Sequence, residues 1–497
     1  MNLAVVLPIV LPLAAAGLSQ AFNRYPVVQR VLSLTTLSAT AVISAVLLVG
    51  VDANGITVAR IGGWDGPIGI TLAADRLSAI MVLVSAMMLL AVLVYAIGSP
   101  RTADHTPSFH PVYLVLAAGV AGSFLTADLF NLFVSFEIML TASYVLITLG
   151  GRPSQVRHGM TYVVISLLAS TLFITAIGLV YAATGTVNMA DLAVKLGDLD
   201  PGLRAALGGL FLVVFGIKAA IFPLFFWLPD SYPTAPTPIT AIFAGLLTKV
   251  GVYAMIRSQT LLFPSDGPSW LILTIAALTM LIGALGAIAQ DDVKRILSFH
   301  IISQIGYMVF GLGLFTVVGW AATVFYVVHH IVVKTSLFLI GGLVEETTGT
   351  GQLHRIGGLL HSAPLLAVMF LIAGLSLAGL PPFSGFIAKL GLVSAGFAAE
   401  AWVVVAMSLL VSLLTLLSMT KIWTGVFWGR HEEPPPIPES MEVARIRFPV
   451  VMMSAAGAVT LMSLAVAVAA GPIYEFAERA AADLAEPAAY IAQVLGQ

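Results

Sequence analysis

Fourteen apolar runs of about 20 residues follow one another along this chain, with short polar joints between most of them. A run of that length is what an α-helix needs to cross a hydrocarbon core about 30 Å thick. Hydrocarbon admits only helices and closed barrels, because every backbone group must find its partner inside the protein. The runs fall at roughly 3–20, 31–50, 75–98, 110–127, 129–149, 159–183, 203–228, 236–260, 268–289, 294–317, 319–345, 364–396, 401–428 and 448–470. They predict an all-α polytopic membrane protein of about fourteen transmembrane helices. Composition agrees: 59% of the 497 residues are hydrophobic and 9% are charged, against about 25% charged in soluble domains.

The same numbers exclude several functions. No segment has the length and polarity of a separate soluble domain, so no nucleotide-driven engine is expected, and any work must draw on ion gradients or partner subunits. Net charge is −2, which gives no sign of a nucleic-acid partner, and the absence of cysteine excludes disulfides, thiolate metal sites and Fe–S clusters. The opening "MNLAVVLPIVLPLAAAG" lacks a basic leader and runs into further hydrophobic sequence, so it is expected to be the first span. "HEEPPPIPESMEVARIR" (431–447) reads as a Pro-rich connection, and the tail after 470 as a short interfacial or partner-binding helix.

Basic residues orient the chain. Loops after odd-numbered spans hold eleven Lys and Arg, including Arg24, Arg101, Arg152, Lys294 and Arg447. The other side holds six: Arg60, Arg76, Lys195, Arg204, Arg257 and Arg479. The cytoplasmic side carries the excess, which places both termini outside.

Of the 22 Lys and Arg, 17 lie in loops or near span ends, and the remaining five are Lys218, Lys249, Lys334, Lys389 and Lys421. Of 24 acids only Glu137 falls well inside an apolar run. A charge at mid-bilayer costs from about 3 to over 10 kcal/mol, so these groups should face the protein interior or water. Lys421 lies near a span end and can snorkel. Lys218 and Lys249 are too deep for that. Burial disfavours the charged form of an amine and a neighbouring carboxylate favours it, so a Glu137–Lys218 pair that forms and breaks would shift Lys218 between holding and releasing a proton. The plainer alternative is a structural ion pair. In "FYVVHHIVVKTSLFLIGG", His330 and Lys334 share a helix face, and histidine both donates and accepts. A metal site at His330 lacks suitably spaced ligands, so none is expected; His329 points elsewhere and reads as structural. Asp128, at the outer end between spans 4 and 5, reads as a plain loop aspartate, with attraction of cations as the alternative.

Two runs carry breaks. Pro223 interrupts "FGIKAAIFPLFFWLP", and Pro381 and Pro382 interrupt "GLPPFSG". Proline removes an N–H and opens the helix, and freed backbone is tolerated at membrane depth only inside protein or beside a water-filled cavity. Lys218 lies before the first break and Lys389 after the second. One span runs inward and the other outward, as in transporters built from inverted repeats.

"KAAIFPLFFWLPDSYPTAPTPITAIFAGLLTKVG" (218–251), "HHIVVKTSLFLIGG" and "LAGLPPFSGFIAKLG" resemble the antiporter-like subunits shared by respiratory complex I and Mrp-type cation/proton antiporters. The likeness is greatest to the D-type Mrp subunits, since the larger A-type subunits run well beyond fourteen spans and complex I subunits usually carry a histidine where this chain has Phe225. The resemblance implies a single antiporter-like membrane domain: spans 1–3 at 3–98, inverted five-helix repeats at 110–260 and 268–428, and a last span with tail at 448–497. It also implies proton translocation through Glu137, Lys218, Lys249, His330, Lys334 and Lys389, the last being glutamate in some relatives. No cofactor is implied. H+ and Na+ would be the transported ions, in a bacterial inner membrane. The partners would be a longer antiporter-like homologue and small hydrophobic subunits. A proton pump of a redox complex is the second possibility, and a structural scaffold whose charges only fix packing is the third.

Overall fold

The computed structural model describes residues 2–99, 106, 108–265, 267–429 and 449–496, so the connection expected at 431–447 lies outside the described residues, as do Arg101, Arg445 and Arg447. Helices α1 (Leu3–Ala21) and α2 (Pro26–Asn54) open the chain. An antiparallel hairpin follows, β1 (Thr57–Arg60) with β2 (Thr71–Ala74), in register Thr57 to Ala74. Its strands are four residues each, too short to stand out from a loop in the sequence. Then come α3 (Arg76–Gly98), α4 (Phe109–Leu125), α5 (Leu129–Thr148), α6 (Pro153–Thr184), the short α7 (Met189–Lys195) and α8 (Pro201–Ala219).

Past the first break lie α9 (Leu228–Ser231), α10 (Thr237–Ile242) and α11 (Thr248–Arg257). A π turn at Phe243–Leu247 joins α10 to α11 and another at Ser258–Leu262 extends it, making one helix over Thr237–Leu262. The second half holds α12 (Trp270–Ile288), α13 (Val293–Gly313), α14 (Val317–Thr348), the short α15 (Leu359–Ser362), α16 (Pro364–Ala378), α17 (Ser384–Ala398) and α18 (Trp402–Trp423). Helices α19 (Val450–Val468), α20 (Ala470–Ala485) and α21 (Ala488–Leu495) end the chain.

Among the described residues twelve helices are long and apolar enough to cross a membrane. The expected run at 110–127 is the 17-residue α4, and that at 364–396 is the pair α16 and α17. The run expected at 203–228 ends early, because α8 stops at Ala219.

Both breaks have the same backbone plan. Helix α8 ends on Ala220 in the left-handed region (φ 61°), and the Ile221 N–H reaches back to the Gly216 carbonyl at 3.1 Å. Helix α16 ends on Gly379 (φ 88°), and the Leu380 N–H reaches Leu375 O at 3.1 Å. A left-handed cap of this kind satisfies the last carbonyls. Pro223 and Pro382 each follow three residues later, so the cap stops the helix and the proline prevents its resumption.

Burial is uneven. The 237–262 helix, α13 and α14 are buried almost throughout, whereas α1, α2, α6 and α19 show much of their surface to the outside. Helix α14 packs on α13, α16, α17, α19 and α20. The tail forms α20 and α21, and α20 docks on this chain's own core with Phe476, Ala477, Ala480 and Leu484 buried.

Candidate functional site

The sequence-predicted residues lie on the buried helices. Lys249, His330 and Lys334 are fully buried, and Lys218 and Lys389 are 8% and 7% exposed. Glu137 is half-buried on α5, less enclosed than expected of an intramembrane carboxylate.

Glu137 and Lys218 do not form the direct ion pair anticipated from the sequence. Lys218 Nζ donates to Ser170 Oγ at 3.3 Å and to the Ser166 carbonyl at 3.3 Å, and Ser170 Oγ donates to Glu137 Oε1. A hydroxyl both donates and accepts, so Ser170 on α6 relays between carboxylate and amine. Aromatic rings wall this end: Phe136, Phe173 and Phe215 pack edge-to-face or tilted around it.

From α8 the site passes to α11 through close backbone contact. A Cβ on Gly251 would lie 2.7 Å from Ala219 N, so only glycine lets the helices carrying Lys218 and Lys249 approach this closely. Lys249 Nζ turns back to the Ala244 carbonyl, inside the first π turn, and to Thr248 Oγ1 at 3.1 Å. Such π turns recur at functional sites. Lys334 on α14 donates to the Leu297 carbonyl of α13 at 3.0 Å. Lys249 and Lys334 lie within electrostatic reach of each other, and His330 lies within reach of both. Both ring nitrogens of His330 are buried without a partner among the described residues.

His300, on α13, is a member that sequence reasoning missed. It is fully buried, its Nε2 bonds Ser418 Oγ, and it feels both Lys334 and Lys389. The mid-bilayer criterion applied to lysine and glutamate would have found it had it been extended to every histidine in an apolar run. Lys389 Nζ donates to the Ala378 carbonyl at 2.9 Å, the last helical residue before the second break, and lies 4.9 Å from the centre of the Tyr307 ring. The break thus exposes a carbonyl and Lys389 takes it. Tyr307 stacks on Tyr326 with centroids 5.3 Å apart. His329 bonds Ser384 Oγ through Nδ1 at 2.8 Å, where a Cβ on Gly385 would collide with the Ser376 carbonyl. His329 pins α14 to α17, in keeping with a structural part.

Other charges fall differently from expectation. Arg257, placed by the loop tally on the outer side, is buried at the end of α11 and pairs with Asp75 at 2.6 Å; the Tyr490 ring of α21 lies 5.1 Å from its guanidinium. The side-chain signal was present, an arginine beside an apolar run, but its partner is 182 residues away. Asp128 is no plain loop residue: it is 5% exposed and caps α5 by accepting from Asn131 N at 2.7 Å. Burial raises its pKa above the ordinary aspartate value. Lys421 pairs with Asp291 at 2.8 Å near the helix end, as snorkelling requires.

The family profile described as "NADH:quinone oxidoreductase/Mrp antiporter, TM" matches residues 126–415, more than half of the chain and every member of this row. The chain belongs to the NADH:quinone oxidoreductase/Mrp antiporter transmembrane family. Within that family it is 44% identical, over the full length of both chains, to the D-type subunit of the Na(+)/H(+) antiporter of Alkalihalophilus pseudofirmus. Among solved structures it matches a chain of the Mrp complex from Dietzia sp. DQ12-45-1b over the whole of both chains, with TM-score 0.93 and 33% identity. It also matches a chain of respiratory complex I from Thermus thermophilus, covering 93% of this chain and 98% of that one, with TM-score 0.73 and 25% identity. The family resemblance drawn from 218–251, "HHIVVKTSLFLIGG" and "LAGLPPFSGFIAKLG" is borne out, and the chain is a multi-pass membrane protein.

Proposed function

We propose that this chain is the proton-translocating subunit of a multi-subunit sodium/proton antiporter, crossing the membrane fourteen times in two inverted repeats. The observation that carries this reading is the buried row of amines and imidazoles from Lys218 through Lys249, His330 and Lys334 to Lys389, with Glu137 at its beginning. His300 is added to it between Lys334 and Lys389.

Neighbouring buried amines cannot all hold protons comfortably, because like charges repel strongly where the dielectric is low. A proton on Lys249 therefore opposes one on Lys334, and His330, within reach of both, is suited to pass it between them. Glu137 acting through Ser170 favours the charged form of Lys218; when that contact loosens, the proton moves on. Lys389, resting on the carbonyl exposed by the second break, is the last stop. Sodium wants several oxygen ligands, and Glu137, the carboxylate of the row, is engaged through Ser170 with the Lys218 amine, so sodium is assigned to a path shaped by partner subunits. Those partners are a longer antiporter-like homologue and small hydrophobic subunits, in a bacterial inner membrane with both termini outside. No cofactor takes part, and ion exchange rather than bond chemistry is the work.

Support comes from the D-type name of the relative that is 44% identical over its full length. A proton pump of a redox complex would use the same row, and co-purification separates the two: flavin or Fe–S subunits in place of small hydrophobic ones would replace sodium exchange with redox coupling. Sodium-driven pH change in everted vesicles then tests the row itself. Lys218→Ala and Glu137→Gln should abolish it while the complex still assembles. Retained transport with weakened assembly would leave only a scaffold.

A further inference from the structure

Near the end of α8 opposite the break, α8 and α12 stand apart and leave a crevice of about 400 Å³. Its walls are apolar, formed by Leu212, Phe263 and Leu271 with Gly209, where a Cβ would meet nothing within 4 Å. Three polar side chains line it: Arg204, Gln259 and Ser269, the last turned to its own helix, where its hydroxyl caps α12 by accepting from Ile272 N at 3.5 Å. Arg204, in the first turns of α8, is partly exposed, and its guanidinium makes no hydrogen bond or ion pair among the described residues. Gln259, in the second π turn, is 6% exposed and its Nε2 has no partner among the described residues. The nearby Asp200 carboxylate is turned instead to the backbone of α8, accepting from Gly202 N at 2.9 Å.

Depth decides what this crevice suits. Trp270, at the start of α12, is 77% exposed, and exposed tryptophans at helix ends mark the headgroup level. Arg204 lies at the corresponding end of α8, and Leu212 lies eight residues deeper, about 12 Å at 1.5 Å per residue. A free cation at headgroup level, an unsatisfied amide beside it and an apolar slot below match, in that order, a phosphate, a glycerol ester carbonyl and an acyl chain. The guanidinium fork matches the oxygens of a phosphate, and an unsatisfied amide facing hydrocarbon is costly.

We propose that the crevice between α8 and α12 is a phospholipid site, with the phosphate on Arg204, an ester carbonyl on Gln259 and one acyl chain along Gly209 and Leu212. The lipid fills the gap between two helices that otherwise meet at the break, where Phe222 N donates to Thr279 Oγ1 of α12 at 3.0 Å.

The purified complex, exchanged extensively into detergent and examined by native mass spectrometry, should retain a phospholipid that Arg204→Ala and Gly209→Leu both lose. Arg204→Ala removes the phosphate contact and Gly209→Leu fills the slot, so the two act by different routes, and neither side chain is part of the proton row. A photo-crosslinking residue at Leu212, used in native membranes, should yield a lipid adduct. Unchanged lipid retention in both variants overturns the proposal, and so does a crosslink from Leu212 to another polypeptide, which would make the crevice a contact between subunits.

Discussion

The Lys218 ammonium donates to Ser170 Oγ at 3.3 Å, and through that hydroxyl it reaches the Glu137 carboxylate. Coupling between acid and amine therefore runs through a third side chain that can rotate. A hydrogen bond to a charged group is worth about 1.5–3 kcal/mol, so Ser170→Ala should slow sodium-driven proton movement by roughly tenfold or more. Ser170→Thr, which keeps the hydroxyl, should retain most of it. Initial rates of sodium-driven pH change in everted vesicles give the comparison, and an Ala variant equal to the parent would remove Ser170 from the coupling.

Lys389 takes a carbonyl that the second break leaves free. Replacement by leucine leaves that carbonyl unpaired and the row without its last proton holder, so Lys389→Leu should abolish exchange. Lys389→Glu should keep measurable exchange, since a carboxyl group also carries a proton. The same vesicles measure both; equal loss in both variants would show that an amine is required there.

Arg257 and Asp75 are both almost fully buried. Removing one partner of a buried pair costs about 3–5 kcal/mol, because a charge is left unpaired, whereas replacing both by apolar groups is often neutral. Arg257→Met alone should therefore lower the melting temperature of the complex clearly, and Arg257→Met with Asp75→Leu should recover much of the loss. Additive losses would mean that the pair is not coupled.

Two aspartates that cap helices, Asp75 before α3 and Asp128 before α5, should respond to pH with opposite sign. Burial pushes the Asp75 carboxyl up, but Arg257 and the hydrogen bonds from Ser78 outweigh it and hold its pKa below the ordinary value of 3.8. Its contribution is present above that value and is lost as pH falls through the folded pKa. Asp128 is raised by burial, so its ionisation opposes folding, and its contribution is lost as pH rises through its folded pKa. Asp128→Asn, which still caps α5, should raise thermal stability at pH 7 and make little difference near pH 4. A loss at pH 7 would show that the charge itself is needed there, as a cation site would require.

The chain alone reveals the membrane class, the helical runs and most of the ionisable row, because bilayer length and the cost of buried charge act on local sequence. Lys218, Lys249, Lys334, Lys389 and Glu137 are conspicuous for being charged where their neighbours are not. The two breaks are legible from Pro223 and from "GLPPFSG". Their equal cap geometry is not, because an alanine at φ 61° serves one break where glycine serves the other.

Tertiary structure decided which groups meet. Ser170 lies 33 residues from Glu137 and 48 from Lys218, and a serine in an apolar helix carries no mark that distinguishes a relay from a group bonding its own backbone. Arg257 finds Asp75 across 182 residues, and α20 and α21 fold back on α14 and Arg257. Pattern along a chain reports the solvent each residue must suit, and so the membrane and its buried charges were determined by sequence. Partnership across helices depends on how close backbones come, as at Gly251 and Ala219, and only the packed molecule decides that.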